Sequence, residues 1–459
     1  MSLHQRTLNL MFSKIRNLAK MQLLRDALKL SSGNVLLYLL PIFVTPVLSR
    51  LYQPEQFGEW GVFSSVVTII GVILLGGFEY AVIRCEENEV KKVIKLCLFS
   101  VCIILLGSIA FFVIGDVMNL PFVKNFPYPL GALVFLMVNA LTLMFQNLAN
   151  RYKRYWSMSI CNLVIGFSQA VLRISFAFCI LFVNGLILGT ICAQIIGSLF
   201  LFIVLFKKLR EMMASSSTNL PLMSVAKKFK KFPLYDAPST LLSFASFNLP
   251  IVILSSFYTK GQLGCYSMVL QLLLMPISVV GAAIGSVYYQ RISENGTSDG
   301  IRTETQNLLK IVIWLSSLPT IFFCLGGDWL LVKFLGNKWQ TAGGMALCLS
   351  IWSIATILTQ PLLSLYRQLD KQNRMLTFNL LYFVLSIGAI FICTNMQFPL
   401  YTTILIYSLF AFFPRILMFL DIVKLSGNRL AYLCSGVKVP IYVLIVVMLA
   451  YRLLYLNII

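Results

Sequence analysis

Leu48 to Gly58 reads LSRLYQPEQFG, a short polar turn between an apolar segment at 34–50 and a longer one at 58–84. The pattern returns without a gap at Leu254 to Gly264, LSSFYTKGQLG, so that Leu48, Ser49, Tyr52, Gln56 and Gly58 recur as Leu254, Ser255, Tyr258, Gln262 and Gly264. A turn repeated so far down the chain, each time between apolar runs, reads as two copies of one membrane unit.

Composition supports a membrane setting. Of 459 residues 59% are hydrophobic and 12% charged, and the mean hydropathy is +0.85. A soluble domain cannot bury that much apolar surface, so the class is a polytopic membrane protein. The net charge of +21 is then explained by lysine and arginine in cytoplasmic loops, with no nucleic acid as partner. The 11 cysteines stand singly, with neither disulfide nor metal spacing, and the one histidine is His4 near the N-terminus. Neither a metal nor a cofactor is expected.

Residues 1–30 interleave Lys14, Arg16, Lys20, Arg25 and Lys29 with Leu10, Ile15, Leu18, Leu24 and Leu28. That pattern fits a cytoplasmic amphipathic segment, or equally a weakly ordered leader, and has no cleavable-signal layout. About thirteen segments follow that are long enough to span. Basic residues collect on alternate loops, roughly thirty against about five, which places the N-terminus in the cytoplasm and the opening turn outside. Residues 207–234 form the longest polar connection and are read as a cytoplasmic linker. The expected fold is all-α: an N-lobe of six transmembrane helices at 31–206, a C-lobe of six at 235–420, and a C-terminal segment, 421–459, with about one further span. Six spans before the linker bring both lobes into the membrane from the same side, so they are parallel repeats related by an axis along the membrane normal.

Polar side chains inside spans are the candidate site. Asn139, Thr142, Gln146, Asn150 and Lys153 share one face of the fourth span, and Ser353, Thr356, Gln360, Ser364 and Arg367 hold the same relative positions in the tenth. Such a stripe makes interhelical hydrogen bonds or lines a water-filled cavity. In the fifth span Asn162, Gly166, Gln169 and Arg173 lie on one face, with Arg173 about 24 Å from the inner end, just outside the midplane. An arginine there costs about 2.5–3.5 kcal/mol if it meets lipid, so it faces either a substrate cavity or a structural partner. Glu79 is the one acid deep in a span; Glu79 and Asp236 are candidates for ion coupling. Arg415 and Arg452 lie near span ends and read as snorkelling. The sequence has no GxxxxGK[ST] loop and no external loop long enough for a catalytic domain, so an enzyme is not expected.

Three stretches carry a family resemblance: LSRLYQPEQFGEWGVFSS after the first span, GLILG at Gly185–Gly189, and FPLYDAPSTLLSF, LPIVIL and LGCYSMVLQLLLMPISVVGAAIG through the seventh and eighth spans. In order and spacing they resemble the lipid-linked oligosaccharide flippases of bacterial polysaccharide biosynthesis, in the multidrug/oligosaccharidyl-lipid/polysaccharide exporter superfamily. The resemblance implies two six-helix lobes around a cavity that alternates between the two sides of the inner membrane. It implies carriage of undecaprenyl-diphosphate-linked repeat units for O-antigen, capsule or exopolysaccharide, with the polymerase and glycosyltransferases of the pathway as partners and membrane lipid as surroundings. Arg173 with Asn162, Gln169, Gln146, Thr142, Gln360 and Thr356 would then answer an anionic diphosphate and a hydroxyl-rich saccharide. Cation-coupled drug exporters and the peptidoglycan-precursor flippase of the same superfamily are alternatives, as is a membrane glycosyltransferase or polymerase.

Overall fold

The computed structural model describes residues 40, 43–124, 126–179, 183–214, 221–230, 232–294, 297–369 and 371–428. The amphipathic segment at 1–30, most of the first span and the span expected at 438–457 lie outside the described residues. The chain is helical throughout the described part. In order come α1 (43–51), α2 (Pro54–Ile73), α3 (Glu79–Arg84), α4 (Val90–Val117), α5 (Pro121–Lys124), α6 (Pro129–Arg151), α7 (Tyr155–Ala177) and α8 (Gly185–Ala214). After them come α9 (Leu222–Lys228), α10 (Ala237–Leu254), α11 (Lys260–Glu294), α12 (Ser298–Phe322), α13 (Asp328–Leu335), α14 (Gln340–Thr359), α15 (Ser364–Gln368), α16 (Gln372–Asn395) and α17 (Leu400–Leu425). Among the described residues nine helices are long and apolar enough to cross a membrane. This is a multi-pass membrane protein.

Two expected spans are broken. The second stops at Ile73 because Gly76 and Gly77 take φ of 62° and 77°, a left-handed backbone open to glycine; α3 then continues from Glu79. The ninth breaks at Gly326, with φ of 104°, and resumes as α13. The described parts of the linker are largely helical. Helix α8 runs on to Ala214, and α9 docks on α4, where Val225 is buried and Lys228 reaches the buried Glu89 carboxylate at 2.6 Å.

The first lobe is built from α1, α2, α4, α6, α7 and α8, the second from α10, α11, α12, α14, α16 and α17. Helix α7 packs along α8 and α8 along α6, while α17 packs between α14 and α16. Helix α2 reaches across, lying along both α10 and α11. The two repeated turns lie at one end of the bundle, here termed the turn end; the linker lies at the other.

The sequence echo is also a structural echo. Tyr52 N–H donates to the Leu48 carbonyl at 2.9 Å and Tyr258 N–H to the Leu254 carbonyl at 3.0 Å. Ser49 Oγ donates to Pro46 O at 3.0 Å, Ser255 Oγ to Val252 O at 2.7 Å. Gln56 Oε1 accepts Gln53 N–H at 2.9 Å and Gln262 Oε1 accepts Thr259 N–H at 3.1 Å, capping the first turns of α2 and α11. Each tyrosine hydroxyl then reaches the last helix pair of its own lobe: Tyr52 donates to Arg173 O in α7 at 2.6 Å, Tyr258 to Phe398 O before α17 at 2.8 Å.

The two glycines explain why the copies meet. A Cβ on Gly58 would strike the Lys260 carbonyl, and a Cβ on Gly264 would strike the Pro54 carbonyl. Pro54 and Lys260 are themselves counterparts in the repeat, so the contact is reciprocal, as a two-fold axis demands. One turn further Gly61 lies directly on its own counterpart, Ser267. Both helices start at the turn end and run the same way from the crossing, so the lobes are parallel copies about an axis through it. The expected all-α membrane helix bundle holds for the described residues.

Candidate functional site: a cleft between the lobes, sealed at one end

Beyond the crossing α2 diverges from α10 and α11. A cavity of about 300 Å³, lined by Trp60, Ser64, Ser65, Asn248, Gln271 and Ser278, opens there. A second, of about 440 Å³, is lined by Thr68, Phe244, Phe247, Gly281, Thr356 and Gln360. The two share Asn248, Leu274 and Ser278, so they form one cleft with α2 on one wall and α10, α11 and α14 on the other. Hydroxyls, amides and aromatic rings face it beside the aliphatic side chains of Ile251, Leu270, Leu274, Met275 and Ile277, and no carboxylate is among its lining residues.

The turn end is closed by more than the glycine crossing. Lys260 Nζ and the Glu59 carboxylate pair across the lobes at 2.8 Å. Trp339 Nε1 donates to Ser49 O at 3.0 Å, Ser49 Oγ to Leu335 O at 2.8 Å, and the Trp339 ring meets Phe57 edge-on at 5.2 Å. Trp339 is fully buried. An indole and a backbone contact sealed from solvent hold better than an exposed ion pair, which contributes only about 0.2–1 kcal/mol.

The seven predicted binding residues fall into three groups. Thr356 and Gln360 stand in the cleft wall. Gln146 Nε2 donates to Asn162 Oδ1 at 3.1 Å, joining α6 to α7, and the buried Thr142 hydroxyl returns to Val138 O in its own helix at 2.9 Å. Arg173 and Gln169 form the third group, both donating to Thr190 Oγ1 on α8, at 2.8 and 3.4 Å. Helix α7 ends at Ala177, earlier than the apolar run implies, so Arg173 is about 6 Å from the turn end of its helix and well beyond the midplane.

Arg173 is 5% exposed, and its surroundings account for two motif glycines. A Cβ on Gly189 would come within 2.7 Å of Arg173 Cγ, and one on Gly185 would strike the Tyr52 hydroxyl. Those small positions in GLILG let the arginine and the tyrosine lie flat against α8. The guanidinium carbon sits 4.7 Å from the centre of the Trp60 ring, a cation–π contact, and its Nε has no hydrogen-bond partner among the described residues. Trp60 therefore separates a buried cation from the cleft it lines. Neither Trp60 nor Thr190 stands out in the sequence.

Glu79 opens α3 at the linker end, beyond the break in α2 and away from the cleft lining. Asp236 ends the π-helical segment Phe232–Asp236; its side chain lies outside the described residues. Arg415 departs from the sequence reading. It is 3% exposed and lies between the rings of Tyr382 and Phe247, so it does not snorkel. The reason is the length of α17: the helix continues through Lys424 to Leu425, which leaves Arg415 about 15 Å from its end.

A family profile described as "Polysaccharide biosynthesis protein" matches residues 47–344. The chain belongs to that polysaccharide biosynthesis family. No curated protein matches it. Among solved structures it is similar to an inward-facing multidrug resistance MATE family transporter of the MOP superfamily, at 16% identity and a TM-score of 0.63, covering 86% of this chain and 95% of that one. An outward-facing MATE transporter matches at 15% identity and a TM-score of 0.56, covering 88% and 96%. A MOP superfamily transporter from Pyrococcus furiosus matches at 14% identity and a TM-score of 0.56, covering 88% and 95%. Family and fold together make this chain a polysaccharide biosynthesis family member with the fold that these transporters share.

Proposed function

We propose that the chain translocates undecaprenyl-diphosphate-linked oligosaccharide repeat units across the bacterial inner membrane, for O-antigen, capsule or exopolysaccharide, by alternating access between two lobes that swing about the linker. The observation that carries this reading is Arg173: a buried guanidinium without a carboxylate partner among the described residues, screened from the cleft by a single indole. A cation kept in that condition is ready for an anion arriving in the cleft, and a phosphate matches its geometry. The polar and aromatic part of the lining suits sugar, since hydroxyl and amide side chains exchange hydrogen bonds with saccharide hydroxyls and flat aromatic faces stack on pyranose rings.

The excess of lysine and arginine on linker-side loops assigns that end to the cytoplasm and the turn end to the periplasm. The closed turn end then corresponds to a state awaiting substrate from the cytoplasm. The prenyl tail stays in the bilayer, and only the charged head and sugars pass through the cleft. No covalent step is involved; the polymerase and glycosyltransferases of the pathway act before and after it.

Drug or cation export is the competing reading, given the transporters that share the fold. A cation exporter needs an acid in its path, and the described lining of this cleft offers none. The test is Arg173→Ala expressed from the native locus. The expected result is a protein inserted at normal level with surface polysaccharide lost. Normal polysaccharide at normal protein level removes Arg173 from the transport path.

A further inference from the structure

The second lobe holds its own buried cation. Arg415 is 3% exposed, in the middle of α17, with its guanidinium carbon 4.5 Å from the Tyr382 ring centre and 5.6 Å from that of Phe247. Its polar contact with Met418 is weak, from Nη1 to Sδ at 3.8 Å, and Nε has no hydrogen-bond partner among the described residues. The only acid of α17 is Asp421, which is committed to Tyr366 at 2.9 Å and Arg374 at 2.8 Å. Two turns above Arg415 on the same face, the buried Ser408 hydroxyl is also without a partner among the described residues.

A guanidinium held chiefly by aromatic faces in the middle of a membrane helix is badly compensated as a structural element. As a binding group the same arrangement is economical, because cation–π contacts hold the charge in place and release it to a stronger acceptor without breaking an ion pair. The route from the cleft is short. Phe247, one of the two rings against Arg415, is itself part of the cleft wall, beside Thr356 and Gln360.

We propose that Arg415 is a second anion-binding group of the cleft, which takes the diphosphate of the lipid-linked substrate when the Phe247 ring turns aside. This rests on the reading of the cleft as a path for such a lipid. It adds an order of events. Arg415 lies about 15 Å from the linker end of its helix and Arg173 about 6 Å from the turn end of its own. The anion therefore meets the arginine of the second lobe first and passes to that of the first lobe as it advances.

The test uses the full chain in nanodiscs of neutral phosphatidylcholine, titrated with undecaprenyl diphosphate and, separately, with uncharged undecaprenol. Wild type is expected to prefer the diphosphate by at least about tenfold, the value of one charge-assisted hydrogen bond. Arg415→Gln should lose about that factor for the diphosphate alone, and Arg415→Lys should retain part of it. Unchanged discrimination in a folded Arg415→Gln protein overturns the proposal. If discrimination is lost in Arg173→Gln and kept in Arg415→Gln, this inference fails and the transport reading stands. If wild type does not discriminate at all, the transport reading fails with it. Should Arg415→Gln not fold, Phe247→Leu decides: removing the ring while keeping the charge should strengthen diphosphate binding several-fold, and unchanged affinity overturns the proposal.

Discussion

Replacing Gly264 by alanine should drive the two lobes apart at the turn end. The added methyl would overlap the Pro54 carbonyl and lie 3.1 Å from Pro54 Cα. These are backbone atoms of a helix start, so relief requires α2 and α11 to separate. Overpacking of this kind costs about 1–3 kcal/mol, and here the cost falls on the closed state alone, since the contact vanishes once the lobes part. The closed-to-open ratio should then shift about 5–150-fold. Spin labels on p-acetylphenylalanine at Gln53 and Thr259, exposed counterparts on the two turns, would report the change as a longer inter-lobe distance population. Gly388→Ala is the control, because a Cβ there meets nothing within 4 Å. An unchanged distance distribution in Gly264→Ala would refute the claim that the glycine crossing seals this end.

Three further outcomes follow from the same contacts. Lys260→Glu should weaken turn-end closure by about 0.2–1 kcal/mol, and the swap Glu59→Lys in the same chain should restore it, read as label distances in a double-mutant cycle. Trp339→Phe keeps the ring but loses the hydrogen bond to Ser49 O, and should loosen the closed state by about 0.5–1.5 kcal/mol in the same assay. Trp60→Leu removes the ring between Arg173 and the cleft; surface polysaccharide export should fall while membrane insertion, followed by blotting, is unaffected.

Much of the architecture was legible because it depends on chemistry that recurs in register. Leu48, Ser49, Tyr52, Gln56 and Gly58 repeat because each performs one local task twice, from a backbone turn to a helix cap to a close crossing. The glycine signal is the most informative, since reciprocal contact at Gly58 and Gly264 leaves no room for a side chain. Polar stripes were visible at helical spacing, but a stripe does not say what it faces. Gln146 and Asn162 satisfy each other, whereas Gln360 reaches the cleft, and both arrangements look alike in sequence. Helix ends were the weak point. Hydropathy carried the fifth span past Ala177 and stopped the last C-lobe span short of Leu425, which misplaced Arg173 and Arg415 in depth. Trp60 and Phe247, the rings that screen the two arginines, are ordinary apolar residues until the fold sets a cation behind them.

The most direct measurement is translocation itself, in proteoliposomes loaded on one leaflet with an undecaprenyl-diphosphate-linked oligosaccharide and sampled on the other. Purified wild-type protein should accelerate its crossing over protein-free vesicles, and Arg173→Gln, reconstituted to the same level, should fall to the background rate. Equal rates for wild type and Arg173→Gln, or no acceleration by wild type, would contradict the account.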